Sequence, residues 1–122
     1  MAWVGKWRNQ FGSIVEITSE ADGRIEGSFK TALPDSGFYG QTVPIMGVHQ
    51  GNCIAFSAVG GSPTGDRVVS YTGLLRNEKM ETAWFVVSDK SLTATEPGQP
   101  AELKSTNWWR AVSTNVDTFE RL

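Results

Sequence analysis

Apolar and polar residues alternate along most of the chain, in short runs that are separated by turn residues. Alternation places every second side chain on one face of an extended strand, which is typical of a half-buried β-sheet. No run repeats at helical spacing for more than two turns. The pattern predicts eight strands: seven in the ranges 3–11, 13–18, 25–33, 42–48, 53–59, 67–75 and 80–88, and a final one within 106–119.

Turn residues stand where the predicted strands must reverse. Asp22-Gly23 tolerates positive φ and predicts a tight hairpin. The connections at 50–52 and 76–79 are equally short, whereas the proline-containing segment 91–102 predicts a long surface loop. Eight consecutive strands favour one all-β domain over residues 1–122, an antiparallel up-and-down β-barrel that leaves no strand edge unpaired. The pattern alone also permits a β-sandwich.

Size and charge indicate an ordinary globular domain. The chain has 122 residues and a formal net charge of -2. No run of like charge indicates a nucleic acid or an anionic membrane as partner, and no apolar stretch approaches the roughly 20 residues that span a bilayer. The first residues lack the apolar segment of a signal peptide, which predicts a cytoplasmic protein or one whose leader was removed.

The single cysteine and the single histidine add little chemistry. Cys53 has no partner for an intrachain disulfide, and its place at the start of an apolar strand predicts a small core residue. His49 stands beside a predicted hairpin, where we expect it to be exposed and without the neighbours that a metal site requires. The sequence therefore predicts no metal, no cofactor and no nucleophilic triad.

Polar residues interrupt the apolar inward face of the first and last predicted strands. Alternation places Asn9 on the same face as Trp7 and Phe11, and Ser13 follows on that face. Asp117 interrupts the last strand in the same way. A buried amide, hydroxyl or carboxylate is costly unless it is hydrogen-bonded. Either the protein satisfies these groups itself or a polar ligand does.

Five segments stand in an order and spacing that a known family shares. They are Gly5-Lys6-Trp7-Arg8-Asn9-Gln10-Phe11-Gly12-Ser13, Ala21-Asp22-Gly23 with Glu26-Gly27-Ser28-Phe29-Lys30-Thr31-Ala32, Tyr71-Thr72-Gly73, Thr82-Ala83-Trp84 and Val116-Asp117-Thr118-Phe119. Together they resemble the avidin/streptavidin family of biotin-binding barrels, as a divergent, bacterial-type member. The resemblance covers nearly the whole chain and implies an eight-stranded barrel that is just wide enough for one small ligand.

The resemblance implies that biotin is held by hydrogen bonds to its ureido ring. Asn9 and Ser13 match two of the family's three donors to the ureido oxygen, and Asp117 and Thr31 match the acceptors of its two N–H groups. The third donor is a tyrosine in the family, and Phe29 stands in its place without a hydroxyl. Losing one donor to a buried acceptor costs about 1–3 kcal/mol. We therefore expect an affinity below that of the tightest relatives.

Aromatic side chains form the walls of the implied pocket. Trp84 matches a wall tryptophan, and Trp109 matches the tryptophan that one subunit contributes to the pocket of its neighbour. Tyr71 stands where the family usually has a tryptophan, and Gly60 stands where a further wall aromatic is common. The resemblance thus implies a pocket with one open side.

The part of the pocket that would hold the valerate tail departs most from the family. Val69 replaces a threonine that contacts the sulfur, and Arg67 replaces a serine near the carboxylate. Arg67 is either a partner for the ligand carboxylate or a solvated charge at a strand end. Leu33, Pro34 and Asp35 begin the loop that closes over the tail in relatives, and Pro34 stiffens this loop.

These matches predict a non-catalytic protein that binds biotin in the mouth of the barrel. The alternative is a relative whose pocket has drifted to another small acid or cyclic urea. An enzyme is a weaker hypothesis because Asp117 would need a second acid nearby, and a lipid carrier would not need the polar inward groups. Because Trp109 would be exposed on a single barrel, we expect a homotetramer, or at least a homodimer.

Overall fold

The computed structural model describes residues 2–32, 40–60, 66–93, 98, 102–105 and 107–122. The elements in this part of the chain are β1 (Gly5–Asn9), β2 (Ile14–Ala21), β3 (Arg24–Lys30), β4 (Thr42–Gln50), β5 (Cys53–Gly60), β6 (Arg67–Arg76), β7 (Lys79–Ser88), β8 (Lys90–Thr93), β9 (Glu102–Ser105), α1 (Trp108–Ala111) and β10 (Val112–Arg121). Within these ranges no helix is long and apolar enough to cross a membrane.

Eight of the strands close into a barrel in the order β1-β10-β7-β6-β5-β4-β3-β2. Every neighbouring pair is antiparallel, and β10 completes the circle by pairing with both β1 and β7. The predicted all-β, up-and-down barrel is therefore confirmed. Closure pairs both edges of every strand in the barrel, which an open sheet cannot do.

Tight turns set the register of two hairpins. Asp22 and Gly23 have φ of 54° and 75°, and Asn77 and Glu78 have φ of 50° and 65°. Two successive residues with positive φ form the type I′ geometry that matches the twist of the flanking strands. Both hairpins lie at the positions that the sequence predicts.

The core fills the inside of the barrel with the inward residues of all eight strands. Close approach of neighbouring strands requires glycine at three points in the described residues, Gly27, Gly47 and Gly73. A Cβ at Gly27 would overlap the carbonyl oxygen of Glu16, and one at Gly47 would overlap that of Ala55. The largest fully buried side chains are Trp3, Trp7, Phe119, Ile17, Ile25, Met80, Val15 and Ser13.

One end of the barrel is closed by the segment before β1. Trp3 is fully buried, and the backbone N–H groups of Trp3 and Val4 donate to Oε1 of Glu20 at 3.0 and 3.2 Å. Arg121 donates to the carbonyl oxygen of Val4 at 2.8 Å, and its guanidinium lies 4.2 Å from the ring centroid of Trp7. The polar residues at the end of β1 lie at the opposite end of the barrel.

Two segments differ from the predicted elements. Part of the predicted loop 91–102 lies in β8 and β9, which pair from Lys90 opposite Ser105 to Thr93 opposite Glu102. Within the predicted range 106–119, the last strand begins at Val112, directly after the short helix α1, which the pattern did not predict. The loop prediction is wrong in part because turn residues do not reveal which backbone groups pair across a long connection.

Three side chains lie elsewhere than predicted. Phe11 is 53% exposed because the chain turns before Gly12, whose φ is 89°, and the alternation ends there. Cys53 is exposed at the start of β5 rather than in the core. His49 is partly buried, with Nε2 3.7 Å from Oε2 of Glu20, rather than exposed. These three predictions are wrong because alternation does not show where along a strand the core begins.

Candidate functional site

Asn9 is held by the turn that follows β1. Its Oδ1 accepts hydrogen bonds from the backbone N–H groups of Phe11 at 3.0 Å and Ser13 at 2.9 Å. These bonds satisfy two backbone N–H groups where β1 ends, so Asn9 has a structural role in this turn. It also fixes the amide, so that Nδ2 donates to Oδ2 of Asp117 at 3.2 Å.

Asp117 is a buried carboxylate surrounded by donors. It is 5% exposed, and besides the bond from Asn9 its Oδ1 accepts from Nε2 of Gln10 at 3.1 Å. Burial raises the pKa of the Tyr71 phenol above its usual value, and the neighbouring Asp117 carboxylate raises it further. The phenol therefore remains protonated at neutral pH.

Sequence reasoning missed two residues that position this carboxylate. Gln10 donates to the side chain of Asp117, and its Oε1 accepts from the backbone N–H of Thr118 at 3.1 Å. Thr82 is 5% exposed and donates to the backbone oxygen of Asp117 at 2.9 Å. Alternation places Gln10 on the outward side, so the pattern contained no signal for it. Thr82 lies in a segment of the family resemblance but was not assigned a role.

Ser13 and Thr31 form a second polar group beside Asn9. Ser13 is 1% exposed and Thr31 is 5% exposed, and their hydroxyl oxygens are 3.3 Å apart. Oγ of Ser13 accepts from the backbone N–H of Ala32 at 2.9 Å. A hydroxyl that accepts one bond keeps its own proton to donate. The structure thus gathers four polar residues predicted from the two ends of the chain and from β3, namely Asn9, Ser13, Thr31 and Asp117.

Aromatic rings lie next to this polar cluster. Tyr71 stacks on Phe56 with ring centroids 4.9 Å apart and meets Phe119 edge-on at 5.8 Å. Phe29 is 6% exposed, and its ring centroid is 6.2 Å from that of Tyr71. Trp84 stands opposite Tyr71 in the pairing of β6 with β7. Val69 is also buried, at 3% exposure, two positions from Tyr71 on the same face.

The remaining predicted site residues lie at the rim or outside the described residues. Arg67 is partly buried at the start of β6, where it lines a surface cavity of ≈ 720 Å³ with Gly60, Trp108 and the outward residues Val59, Val68 and Val87; the lining contains none of the four polar-cluster residues. Trp109 lies on α1 and is 69% exposed, with the Arg110 guanidinium 4.5 Å from its ring centroid. Leu33, Pro34 and Asp35 fall outside the described residues.

The polar cluster contains both hydrogen-bond donors and hydrogen-bond acceptors, and apolar rings lie beside it. The Ser13 hydroxyl and the Asn9 amide can donate, whereas the Asp117 carboxylate accepts. Such a set suits a small ring that presents a carbonyl oxygen and N–H groups side by side. In the part of the chain that the structure describes, no group of three or more His, Cys, Asp or Glu side chains could hold a metal ion.

Comparisons with known proteins identify the family and the fold of the chain. The model of the Avidin family matches residues 1–122. Apo shwanavidin is similar in structure, with a TM-score of 0.73 and 21% identity over 100% of both chains. The rhizavidin–biotin complex has a TM-score of 0.70 and 20% identity, over 98% of this chain and 91% of that one.

The bradavidin2–biotin complex has a TM-score of 0.69 and 18% identity, over 97% of this chain and 95% of that one. At these identities the likeness to solved structures shows a shared fold. A comparison with curated protein sequences gave no match.

Proposed function

Since the chain belongs to the avidin family, we propose that it binds biotin at the polar cluster in the open end of its barrel, without catalysing a reaction. The observation that supports this proposal is the burial of Asn9, Ser13, Thr31 and Asp117 beside a set of aromatic rings. The bradavidin2 and rhizavidin structures that share the fold were solved as biotin complexes.

We assign the ureido oxygen of biotin to Ser13 and Asn9. Oγ of Ser13 already accepts from Ala32, so its proton is the part of the hydroxyl that a ligand oxygen can use. One amide hydrogen of Asn9 is directed to Asp117, and the second is the one we assign to the ligand. The two ureido N–H groups are assigned to Asp117 and Thr31.

Phe29 adds an apolar contact at the position where relatives place a hydroxyl. The ligand oxygen thus receives two of the three donors, and a missing hydrogen bond to a buried acceptor costs about 1–3 kcal/mol. This corresponds to about one to two decades in Kd. The affinity is therefore expected to be below that of the tightest relatives.

Further contacts of the proposed site lie around the bicyclic ring and the tail. Trp84 and Tyr71 serve as walls, and Val69 faces the sulfur. Arg67 at the rim pairs with the ligand carboxylate, which is a charge-assisted contact. The loop that begins at 33–35 covers the tail in this proposal.

The outer wall of the barrel supports self-association. Residues 42–60, which contain β4 and β5, carry no Lys, Arg, Asp or Glu. Exposed outward charges lie instead on β1 and β3, as at Lys6, Arg8, Arg24, Glu26 and Lys30. The exposed large apolar residues on β4 and β5 and on the neighbouring strands β6, β7 and β10 are Met46, Val48, Val59, Val68, Phe85, Val87 and Val116; Lys79 and Glu81 on β7 are exposed as well. This face has the composition of an interface rather than of a solvated wall.

Strand register gathers these apolar residues into one patch. Val59 stands opposite Val68, and Val68 stands opposite Val87. We propose that a second copy of this chain covers the patch, because an uncharged face can meet itself across a two-fold axis without repulsion. Further copies then give the expected homotetramer, in which Trp109 reaches the pocket of a neighbour.

Isothermal titration with biotin tests the proposed function. The protein is first unfolded, freed of bound ligand and refolded. We expect one biotin per chain in the native protein and a Kd that is about 10–100-fold weaker in Ser13→Ala, because a buried donor is lost. Glu26→Gln on the outside of β3 serves as the matched control and should bind like the native protein.

Two results would redirect the proposal. Binding that is unchanged in Ser13→Ala would mean that biotin lies elsewhere. No heat and no thermal stabilisation with excess biotin would mean that the pocket serves another small acid or cyclic urea.

A further inference from the structure

The side chain of Gln10 bonds to β10 just beyond the point where β1 has ended. The last pairing of β1 with β10 places Asn9 opposite Phe119. Beyond it, Oε1 of Gln10 accepts from the backbone N–H of Thr118 at 3.1 Å, and Nε2 donates to the backbone oxygen of Val116 at 3.5 Å. The amide therefore takes the place of a backbone partner at the seam where the barrel closes.

The same amide also holds the Asp117 carboxylate. Nε2 of Gln10 donates to Oδ1 at 3.1 Å, and Nδ2 of Asn9 donates to Oδ2 at 3.2 Å. The Gln10 amide cannot turn over, because its oxygen would then face the carboxylate and its nitrogen would face the Thr118 N–H. The backbone of β10 thus fixes which end of the amide meets Asp117.

The carboxylate keeps acceptor sites after both amides have donated. An ionised carboxylate has about four lone-pair sites, and the two bonds from Asn9 and Gln10 use one on each oxygen. Bonds to both oxygens hold the plane of the carboxylate, and an acceptor that is already held loses less freedom when a ligand donor meets it. Asp117 is 5% exposed whereas Gln10 is exposed, so Gln10 stands outside the polar cluster.

We propose that Gln10 is a positioning residue that couples closure of the barrel to the ligand site: the amide that closes the seam also holds Asp117 in the orientation that receives a ligand N–H. Gln10 acts through Asp117 and does not touch the ligand. The role at the ligand rests on the proposed function, whereas the contact of Gln10 with Asp117 does not.

Gln10→Glu separates the two parts of this role. The new side chain has the same length and keeps an acceptor for the Thr118 N–H, but it replaces the donor to Asp117 by a like charge. Asp117→Asn restores a complementary pair, because its amide can donate to the new carboxylate and turn its oxygen towards Nδ2 of Asn9. Neither substitution changes the size of a side chain appreciably.

Titration calorimetry with biotin at neutral pH tests the positioning role on the native protein, both single variants and the double variant. We expect Gln10→Glu to weaken Kd about tenfold in the native background and to have little effect in the Asp117→Asn background. A role at the seam alone would leave Gln10→Glu binding like the native protein, because the acceptor for Thr118 is kept. Gln50→Glu makes the same change at the exposed end of β4, and as the matched control it should not alter Kd.

Urea unfolding of the same proteins without ligand tests the contact itself. We expect Gln10→Glu to raise the unfolding equilibrium constant about tenfold in the native background and to have little effect in the Asp117→Asn background. Gln10→Ala also removes the bonds at the seam, so it should destabilise the protein in both backgrounds. Equal effects of Gln10→Glu in both backgrounds would show that the two side chains do not interact and would overturn the proposal.

The two measurements distinguish failure of this inference from failure of the proposed function. Coupled unfolding with no biotin binding by the native protein would overturn the proposed function and support the contact of Gln10 with Asp117. Biotin binding by the native protein, with equal effects of Gln10→Glu on Kd in both backgrounds, would overturn the positioning role and leave the proposed function supported.

Discussion

Replacing Asn9 by alanine should affect the fold and the site together, because one amide serves both. The substitution removes the acceptor of the Phe11 and Ser13 N–H groups and the donor to Asp117. The N–H of Ser13 is in a buried contact, whereas that of Phe11 is partly buried and can turn to water. The stability cost is therefore set by one unsatisfied donor, about 1–3 kcal/mol.

This cost converts to a thermal shift that is easily measured. An unfolding entropy of about 2.1 cal/mol/K per residue gives about 0.26 kcal/mol/K for a chain of this length, so the expected fall in Tm is about 4–12 °C. The lost donor and the loosened carboxylate should also weaken biotin binding by at least about tenfold. Differential scanning calorimetry and titration calorimetry on the same preparation measure both effects.

Asn52→Ala is the matched control, because Asn52 is exposed in the turn between β4 and β5 at the closed end of the barrel. It should change neither Tm nor Kd appreciably. The reasoning would be refuted if Asn9→Ala and Asn52→Ala had the same Tm and bound biotin equally well.

Three further substitutions test other parts of the molecule. Phe29→Tyr should tighten biotin binding by up to about 100-fold in titration calorimetry, because it restores a donor to the ureido oxygen; a weaker Kd would show that this position does not face the ligand. Burial raises the pKa of Glu20, but the backbone N–H donors and His49 outweigh it and hold the pKa below its usual value. The ionised Glu20 carboxylate therefore stabilises the fold fully above about pH 4.3, and this stabilisation is lost as the pH falls through the lower pKa that Glu20 has in the folded protein. The Tm difference between the native protein and Glu20→Gln should therefore shrink in acid. A Tm difference that stays constant with pH would contradict this account. Phe85→Lys places like charges across the proposed interface and should lower the mass in sedimentation velocity, whereas Thr18→Lys on the charged half of the wall should not.

The fold could be predicted from the sequence because its determinants are local. Alternation assigns each residue to a face, and turns such as Asp22-Gly23 connect strands that are neighbours in the chain. An up-and-down barrel uses only such neighbours, apart from the final closure of β10 on β1. The same alternation placed Asn9, Ser13 and Asp117 on the inward face, where the structure has them buried.

The partners of these residues could not be predicted from the sequence. Gln10 meets the Asp117 side chain across 107 positions of the chain, and Thr82 on β7 donates to the backbone oxygen of Asp117. Alternation gives a residue's face but neither its depth along the barrel axis nor the side chain that stands across from it. For the same reason Cys53 and His49 lie at other depths than predicted.

The sequence by itself determined the strands, their faces and the order of the polar groups, because these depend on a period of two and on the φ preferences of turn residues. Only the tertiary structure decided that Asn9, Ser13, Thr31 and Asp117 share one buried cluster, with Gln10 on the Asp117 carboxylate and Thr82 on the Asp117 backbone oxygen. The physical reason is closure. Bringing β10 against β1 sets the stagger of all eight strands, and this stagger determines which inward side chains meet.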